Sequence, residues 1–334
     1  MYDGPMRRGV ASRKPRGEWA PGTVIDGRYR IDGKIGRGAM ATVYDAEHLG
    51  LGRRVAITVP QNTLEKFDQA RFLREVRTLA AIDHPNVCRV TDSGVFEDAP
   101  FMVMERLEGV VVGDSMNQGR RIPVDEAISI TKQILLGLAA AHDIGALHRD
   151  VKPGNVMLLD RDVLSVKIFD FGLVKPNAIE PNEVTETGIT VGTPLYMAPE
   201  QLRGRRDLDA RCDVYGAGAT LFHMLAGRPP FEDTGQNLLL RVARGQTLNL
   251  AEIAPNLAPE LVEIVKRAMH LDRDQRYETA NDFRAALDTL SPQLLDLTFS
   301  DEPDTMPELD TDLLPEELRK AILAVRGEDA AKKS

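Results

Sequence analysis

The sequence has little of what staples a small secreted fold or crosses a bilayer. Its 334 residues include two cysteines, Cys88 and Cys212, too few for a disulfide framework or a zinc site. They read as small buried core residues in a reducing compartment. No apolar run approaches the ~18–20 residues of a membrane span. The first 21 residues carry Arg7, Arg8, Arg13, Lys14 and Arg16 but lack the apolar segment of a signal peptide. There is no excess of positive charge either. The formal net charge is −9, and sequence-independent nucleic-acid binding needs a strong basic face to neutralise phosphates. These absences point to a soluble, cytoplasmic protein with neither a nucleic-acid nor a membrane partner. The rest is ordinary globular composition, 43% hydrophobic and 28% charged. The length suits about two domains or one bilobal unit.

Along the chain the patterning changes three times. Residues 1–26 are polar, with Pro5, Pro15 and Pro21, and read as a flexible basic arm. Strand-like pieces follow at Tyr29–Ile31, Thr42–Tyr44 and Arg54–Ile57, separated by turn residues. Leu64–Ile82 has helical spacing, with Phe67, Phe72, Val76 and Leu79 on one face. Pro85 ends it, because the residue before a proline avoids the α region. Further strands are expected at Val87–Val90 and Phe101–Glu105. After Glu108 helices dominate: Val124–His142, Val214–Leu225, Leu261–Met269 and Asp282–Leu290. Between Ser291 and Leu318 there are nine acidic residues and no lysine or arginine. This is a solvated linker by composition, followed by a short helix at Glu316–Arg326.

Four motifs carry chemistry. Ile35-Gly36-Arg37-Gly38 lies between two strands, where glycines let backbone N–H groups approach phosphate oxygens. The strand–turn–strand context excludes a Rossmann unit, and the lysine and Ser/Thr of a Walker loop are missing. His148-Arg149-Asp150-Val151-Lys152-Pro153-Gly154-Asn155 follows the long helix. Asp170-Phe171-Gly172 comes twenty residues beyond Asp150, and Ala198-Pro199-Glu200 later still.

In this order the motifs resemble the eukaryotic-type protein kinases, particularly the bacterial Ser/Thr kinases, over about Tyr29 to Leu290. The resemblance implies an α+β, bilobal protein-kinase-like fold. A small antiparallel β-rich N-lobe with one helix would occupy 29–107, a larger mostly α-helical C-lobe 108–290, and an acidic linker with a short helix 291–334. It implies ATP and Mg²⁺ as cofactors and proteins as substrates, and leaves open a dimer through the N-lobe. Asp150 would orient the acceptor hydroxyl and take its proton, and Lys152 would steady the γ-phosphate. Asn155 and Asp170 would hold magnesium on the phosphates. Gly36 and Gly38 would cradle the phosphates, with Ile35 over the adenine and Val43, Ala56 and Met157 sandwiching it. Met104 would gate the back of the pocket, with Glu105 and Leu107 in the hinge. Glu75 falls where the family has its ion-pairing glutamate. Leu79, Val90, His148 and Phe171 would form a column between the lobes. Asp213 resembles the aspartate that anchors the catalytic loop, and Arg276 the partner of Glu200. Thr185, Thr187 and Thr190 are candidate phosphorylation sites, and Thr193 resembles the substrate-facing threonine.

The pattern breaks at one position. The family's third strand reads Val-Ala-Ile-Lys, whereas this chain reads Val55-Ala56-Ile57-Thr58. The lysine expected to bind the α- and β-phosphates and to pair with Glu75 is absent. No substitute is evident. The third glycine position is Ala41, Lys34 should face away from the adenine, and Arg37 sits at the loop tip. Arg54 lies ~13 Å back along the strand. Pro60 is expected to end that strand early. Two readings follow: a Ser/Thr kinase with weakened chemistry, or a pseudokinase serving as a nucleotide-binding or scaffolding module.

Overall fold

The computed structural model describes residues 18–38, 41–61, 69–116, 119–160, 162–172 and 194–290. Contacts divide the chain into units 1–297 and 298–334, and the second lies wholly outside the described residues. So do Thr185, Thr187, Thr190, Thr193 and the expected helix at 316–326.

Six strands form the first sheet: β1 (Val24–Ile25), β2 (Tyr29–Arg37), β3 (Ala41–His48), β4 (Arg53–Pro60), β5 (Val90–Phe96) and β6 (Ala99–Glu105). They are antiparallel, in the order β1-β2-β3-β4-β6-β5. β4 runs through Pro60, which opposes Ala41 as the last residue of the ladder. It does not stop early, because a terminal proline forfeits no interior bond. Val87 makes only an isolated bridge to Ile168, so the strand expected at Val87–Val90 begins at Val90. Strand alternation sends Val55, Ile57 and Val59 to one face, where they meet Ile31, Tyr44, Ala46, Phe101 and Val103 in a buried core.

That core corrects the reading of residues 1–26 as a free arm. Trp19 is 4% exposed. Its ring packs on Tyr44, Phe96 and Phe101 at centroid distances of 5.5, 5.8 and 6.2 Å, and the Trp19 backbone N–H donates to Tyr44 Oη at 3.1 Å. From Glu18 onward the chain belongs to the lobe. One tryptophan closes a core whose other members come from strands, a contribution that the polar composition around it hides.

Helix α1 (Gln69–Leu79) buries Phe72, Val76 and Leu79 and packs on β5 and β6. The C-terminal part begins with a second, smaller sheet that the strand patterns did not foresee. It comprises β7 (Gly109–Val111), β8 (Val156–Leu159) and β9 (Val166–Ile168), in that order. Between its first two strands come α2 (Val112–Ser115) and the long α3 (Val124–His142). Then follow α4 (Pro199–Leu202), α5 (Arg211–Ala226), α6 (Gly235–Arg244), α7 (Leu250–Ile253), α8 (Pro259–Ala268) and α9 (Ala280–Asp288). No helix among the described residues is long and apolar enough to cross a membrane.

Helix α5 is the hub, with fourteen of its sixteen residues buried and contacts to α3, α7, α8 and α9. Its small residues permit this. A Cβ added at Gly216 would lie 2.9 Å from Val151 Cβ and 3.1 Å from Val151 O, so glycine lets the loop bearing Asp150 approach the helix. The helix ends at Gly227, whose φ of 72° is left-handed and whose N–H caps the His223 carbonyl.

Trp19→Ala should cost about 3–5 kcal/mol of stability, as for other large-to-small aromatic truncations in cores. Urea unfolding of the full chain measures this. A chain starting at Glu18 should unfold like the full chain, and one starting at Gly27 should be destabilised.

Candidate active site

The lower half of the site is built on one carboxylate. Asp213, in the first turn of α5, is 1% exposed. It accepts the backbone N–H groups of His148 (2.8 Å) and Arg149 (2.7 Å) and bonds His142 Nε2 at 2.8 Å. Burial pushes this carboxyl up. The hydrogen bonds from His142 and the His148 N–H outweigh burial and hold it below the usual range. His142 itself stands at the end of α3. A polar residue closing an apolar helix six positions before His148 was a signal for this role that went unread.

His148 extends the network. Its Nε2 donates to Phe169 O at 3.1 Å, and its Nδ1 accepts the Asp150 N–H at 3.3 Å. Burial lowers its pKa, with nearby carboxylates opposing, so the ring is neutral and both nitrogens are satisfied. The imidazole lies 4.4 Å from the Phe171 ring. Gly172 N–H donates to His148 O, and Phe169 N–H to Asn155 O. The segments around Asp150 and Asp170 are therefore stitched together at three points.

At the open end, Asp150 Oδ2 accepts from Lys152 Nζ at 2.9 Å and from Asn155 Nδ2 at 3.0 Å. Asn155 Nδ2 also reaches Asp150 O at 2.8 Å. With its nitrogen committed to Asp150, the Asn155 amide keeps its oxygen as an acceptor for a cation. Asp170 is exposed at φ 59°, and Arg149 takes φ 61°. These are left-handed conformations that non-glycine residues adopt at a cost. Among the described residues no three His, Cys, Asp or Glu side chains cluster as a self-sufficient metal site. The oxygen donors present suit a magnesium ion shared with phosphates.

Strand register assembles the upper half. Val43 opposes Thr58, Thr58 opposes Met102, and Ala56 opposes Met104. These residues share the sheet face opposite the Trp19 core. Gly36 lies across from Val43, and Ile35 is 46% exposed. Met157, on β8, opposes Val111 and Lys167. Glu105 ends β6, and Leu107 follows it.

Thr58 is buried at 4% exposure. The cations weighed as substitutes each engage a carboxylate. Lys34 Nζ is 3.9 Å and Arg37 Nη1 2.8 Å from Glu18, and Arg54 pairs with Asp45. Arg37 opposes Thr42, one step out of phase with the Gly36–Val43 pair, so it faces away from Thr58. Glu75 is not left without a cation, as the loss of the lysine suggested. It pairs with Arg71, one turn back on α1, at 2.8 Å.

Beyond the loop, Glu200 and Arg276 form a buried two-pronged ion pair at 2.6 and 2.8 Å. Gln201 Nε2 donates to Arg149 O, and its Oε1 accepts the Ala198 N–H. Gln201 follows the Ala198-Pro199-Glu200 motif directly and was missed, although a glutamine at the third position of a helix is a capping signal. Tyr196 Oη meets His223 Nδ1 at 2.5 Å, and their rings stack. Nothing in the local pattern announced that pair, since the two residues come from separate elements.

Comparison with known proteins agrees with this geometry. The chain belongs to the protein kinase domain family, which it matches over residues 29–286. It is 36% identical to the serine/threonine-protein kinase PksC of Streptomyces coelicolor, over 80% of this chain and 50% of that protein. It is 35% identical to PknB of Mycolicibacterium smegmatis, over 79% and 43% respectively. With PrkC of Bacillus subtilis the identity is 32%, over 93% and 46%. The chain thus spans half or less of these relatives. A crystal structure of Rad53 in complex with AMP-PNP superposes with a TM-score of 0.62 at 26% identity, covering 76% of this chain and 63% of that one. The bilobal protein kinase fold is established.

Burial lowers the His223 imidazole to about 4. In the unfolded chain it titrates near its ordinary value, so between pH ~6.5 and 4 only the unfolded state takes up this proton. Stability should therefore fall as pH drops through that window, with His84 and His148 shifted in the same direction. Denaturant midpoints against pH should show a shallower fall in His223→Gln, which keeps an acceptor for Tyr196.

Proposed function

We propose that this chain is an ATP-dependent protein serine/threonine kinase that transfers the γ-phosphoryl group of Mg-ATP to Ser/Thr hydroxyls, with chemistry weakened by Thr58. The observation that carries the reading is the committed geometry of Asn155. Its nitrogen is spent on Asp150, leaving its oxygen, with the Asp170 carboxylate, for a hard cation. Magnesium bound there would offset the charge of the phosphates. Asp150 orients the acceptor hydroxyl and receives its proton late, and Lys152 balances its charge and reaches toward the γ-phosphate. Val43 and Ala56 from above and Met157 from below enclose the adenine, with Ile35 as a lid. Met104 closes the back of the pocket, and the backbone of Glu105 and Leu107 meets the base edge. Gly36 and Gly38 cover the phosphates. Thr185, Thr187 and Thr190 are the proposed autophosphorylation sites, and proteins the substrate class.

Thr58 favours a second reading, a pseudokinase that binds nucleotide or partners without efficient catalysis. A buried hydroxyl on the face expected to meet the nucleotide supplies no charge to the α- and β-phosphates. Removing one preorganised donor from a charged transition state costs on the order of 10²–10³ in kcat.

Autophosphorylation with labelled ATP and Mg²⁺ separates the two. The kinase reading expects slow labelling of wild type at Thr185, Thr187 or Thr190. It expects none in Asp170→Ala, and a gain on the order of 10²-fold in Thr58→Lys. A silent wild type beside an active Thr58→Lys establishes the second reading.

A further inference from the structure

Lys167 was singled out by no motif, yet it sits where three segments converge. Its Nζ lies 2.6 Å from Glu105 Oε1 and 3.3 Å from Val87 O. The same Glu105 oxygen accepts the Arg89 N–H at 2.7 Å. Backbone bonds reinforce the junction: Cys88 N–H to Ile168 O, Ile168 N–H to Asn86 O, and Glu105 N–H to Arg89 O. Asn86 Nδ2 also donates to Val166 O at 2.8 Å. The Lys167 side chain is 15% exposed and that of Glu105 33%, so the pair is partly shielded from solvent. Glu105 ends the last strand before the segment joining the lobes. Lys167 precedes Asp170 by three residues and opposes Met157 across the small sheet.

We propose that the Lys167–Glu105 pair is a clip that fixes the base-binding backbone relative to the strand leading to Asp170, making Lys167 a positioning residue for nucleotide. This rests on the nucleotide site proposed above. The physical reason is geometric. Residues 86–89 are already bonded by backbone to both β6 and β9, and the Lys167–Glu105 contact closes the ring. Opening one side of a closed ring frees the hinge to shift without unfolding either lobe. The adenine-facing backbone would then have to be ordered at the expense of binding affinity.

The test is titration of a fluorescent ADP analogue with Mg²⁺ into the full chain, together with amide hydrogen exchange. Lys167→Met, which keeps the stem and removes the charge, should weaken binding roughly threefold to tenfold, in line with couplings through packed networks. Lys167→Arg should bind as wild type. Glu105→Lys with Lys167→Glu should recover most of the loss seen in either alone, a rescue that general destabilisation does not produce. Exchange at the Cys88 amide, which donates to Ile168 O, should quicken in Lys167→Met and slow again in the reversed pair. Wild-type affinity in Lys167→Met, or a reversed pair no better than the single variants, overturns the clip. If wild type binds no nucleotide, the site reading fails and exchange alone judges the clip: unchanged protection in Lys167→Met overturns it, and loss with recovery supports it.

Discussion

The arrangement of the site depends on a charge buried inside an apolar helix. Taking a carboxylate such as Asp213 out of water costs several kcal/mol unless donors replace the solvent. Here they come from outside the helix: two consecutive backbone amides of one loop and the imidazole of His142. A left-handed residue within a run of amides lets successive N–H groups converge on one anion, and Arg149 supplies it. The chain must then turn, and Asp150 projects from the turn. Gly216, one turn along the same helix, admits Val151 to close contact. A single carboxylate and a single missing side chain thus fix the loop in position and orientation. His148 passes that order on to Phe169, Phe171 and Gly172.

The N-lobe half is held by different forces. Helix α1 is anchored by Phe72, Val76 and Leu79, all nearly fully buried. Among the described residues Glu75 pairs with Arg71 on the same helix, and such i,i+4 pairs contribute only ~0.3–0.5 kcal/mol. Thr58 carries no charge to draw Glu75 toward β4. The attachment of α1 is therefore apolar and non-directional. It fixes the distance of the helix from the sheet more firmly than its rotation.

How much of this was legible follows from where each signal lies. Asp150, Asn155 and Asp170 sit in contiguous motifs that are legible without the fold, and Asp213 opens a helix of small residues. Helices α1, α3, α5, α8 and α9 were legible from apolar spacing, with starts displaced by two or three residues at α5, α8 and α9, whereas α2, α4, α6 and α7 were not anticipated. The small β7–β8–β9 sheet was not, because its strands are three or four residues long and too short to show alternation. Trp19 was hidden by polar neighbours, since a lone aromatic has no period. Tyr196–His223 and Gln201–Arg149 are long-range pairings that only the fold brings together. The Arg71 pairing with Glu75 was within reach, four residues apart on a helix. It was overlooked because the sought partner lay on another strand.

The contrast between the two halves bears on which reading of the chain is physically more economical. Asp213, His148 and the Glu200–Arg276 pair are buried and mutually satisfied, so folding alone accounts for them. Asp170 is exposed, and its backbone stands at φ 59°, a conformation costing on the order of 1–3 kcal/mol. Asn155, a few residues from Asp150, spends its nitrogen on that residue and keeps its oxygen as an acceptor. An acceptor oxygen on Asn155 beside the Asp170 backbone turn is compatible with the metal-bound phosphate proposed above, whatever rate the chemistry reaches without a lysine at position 58.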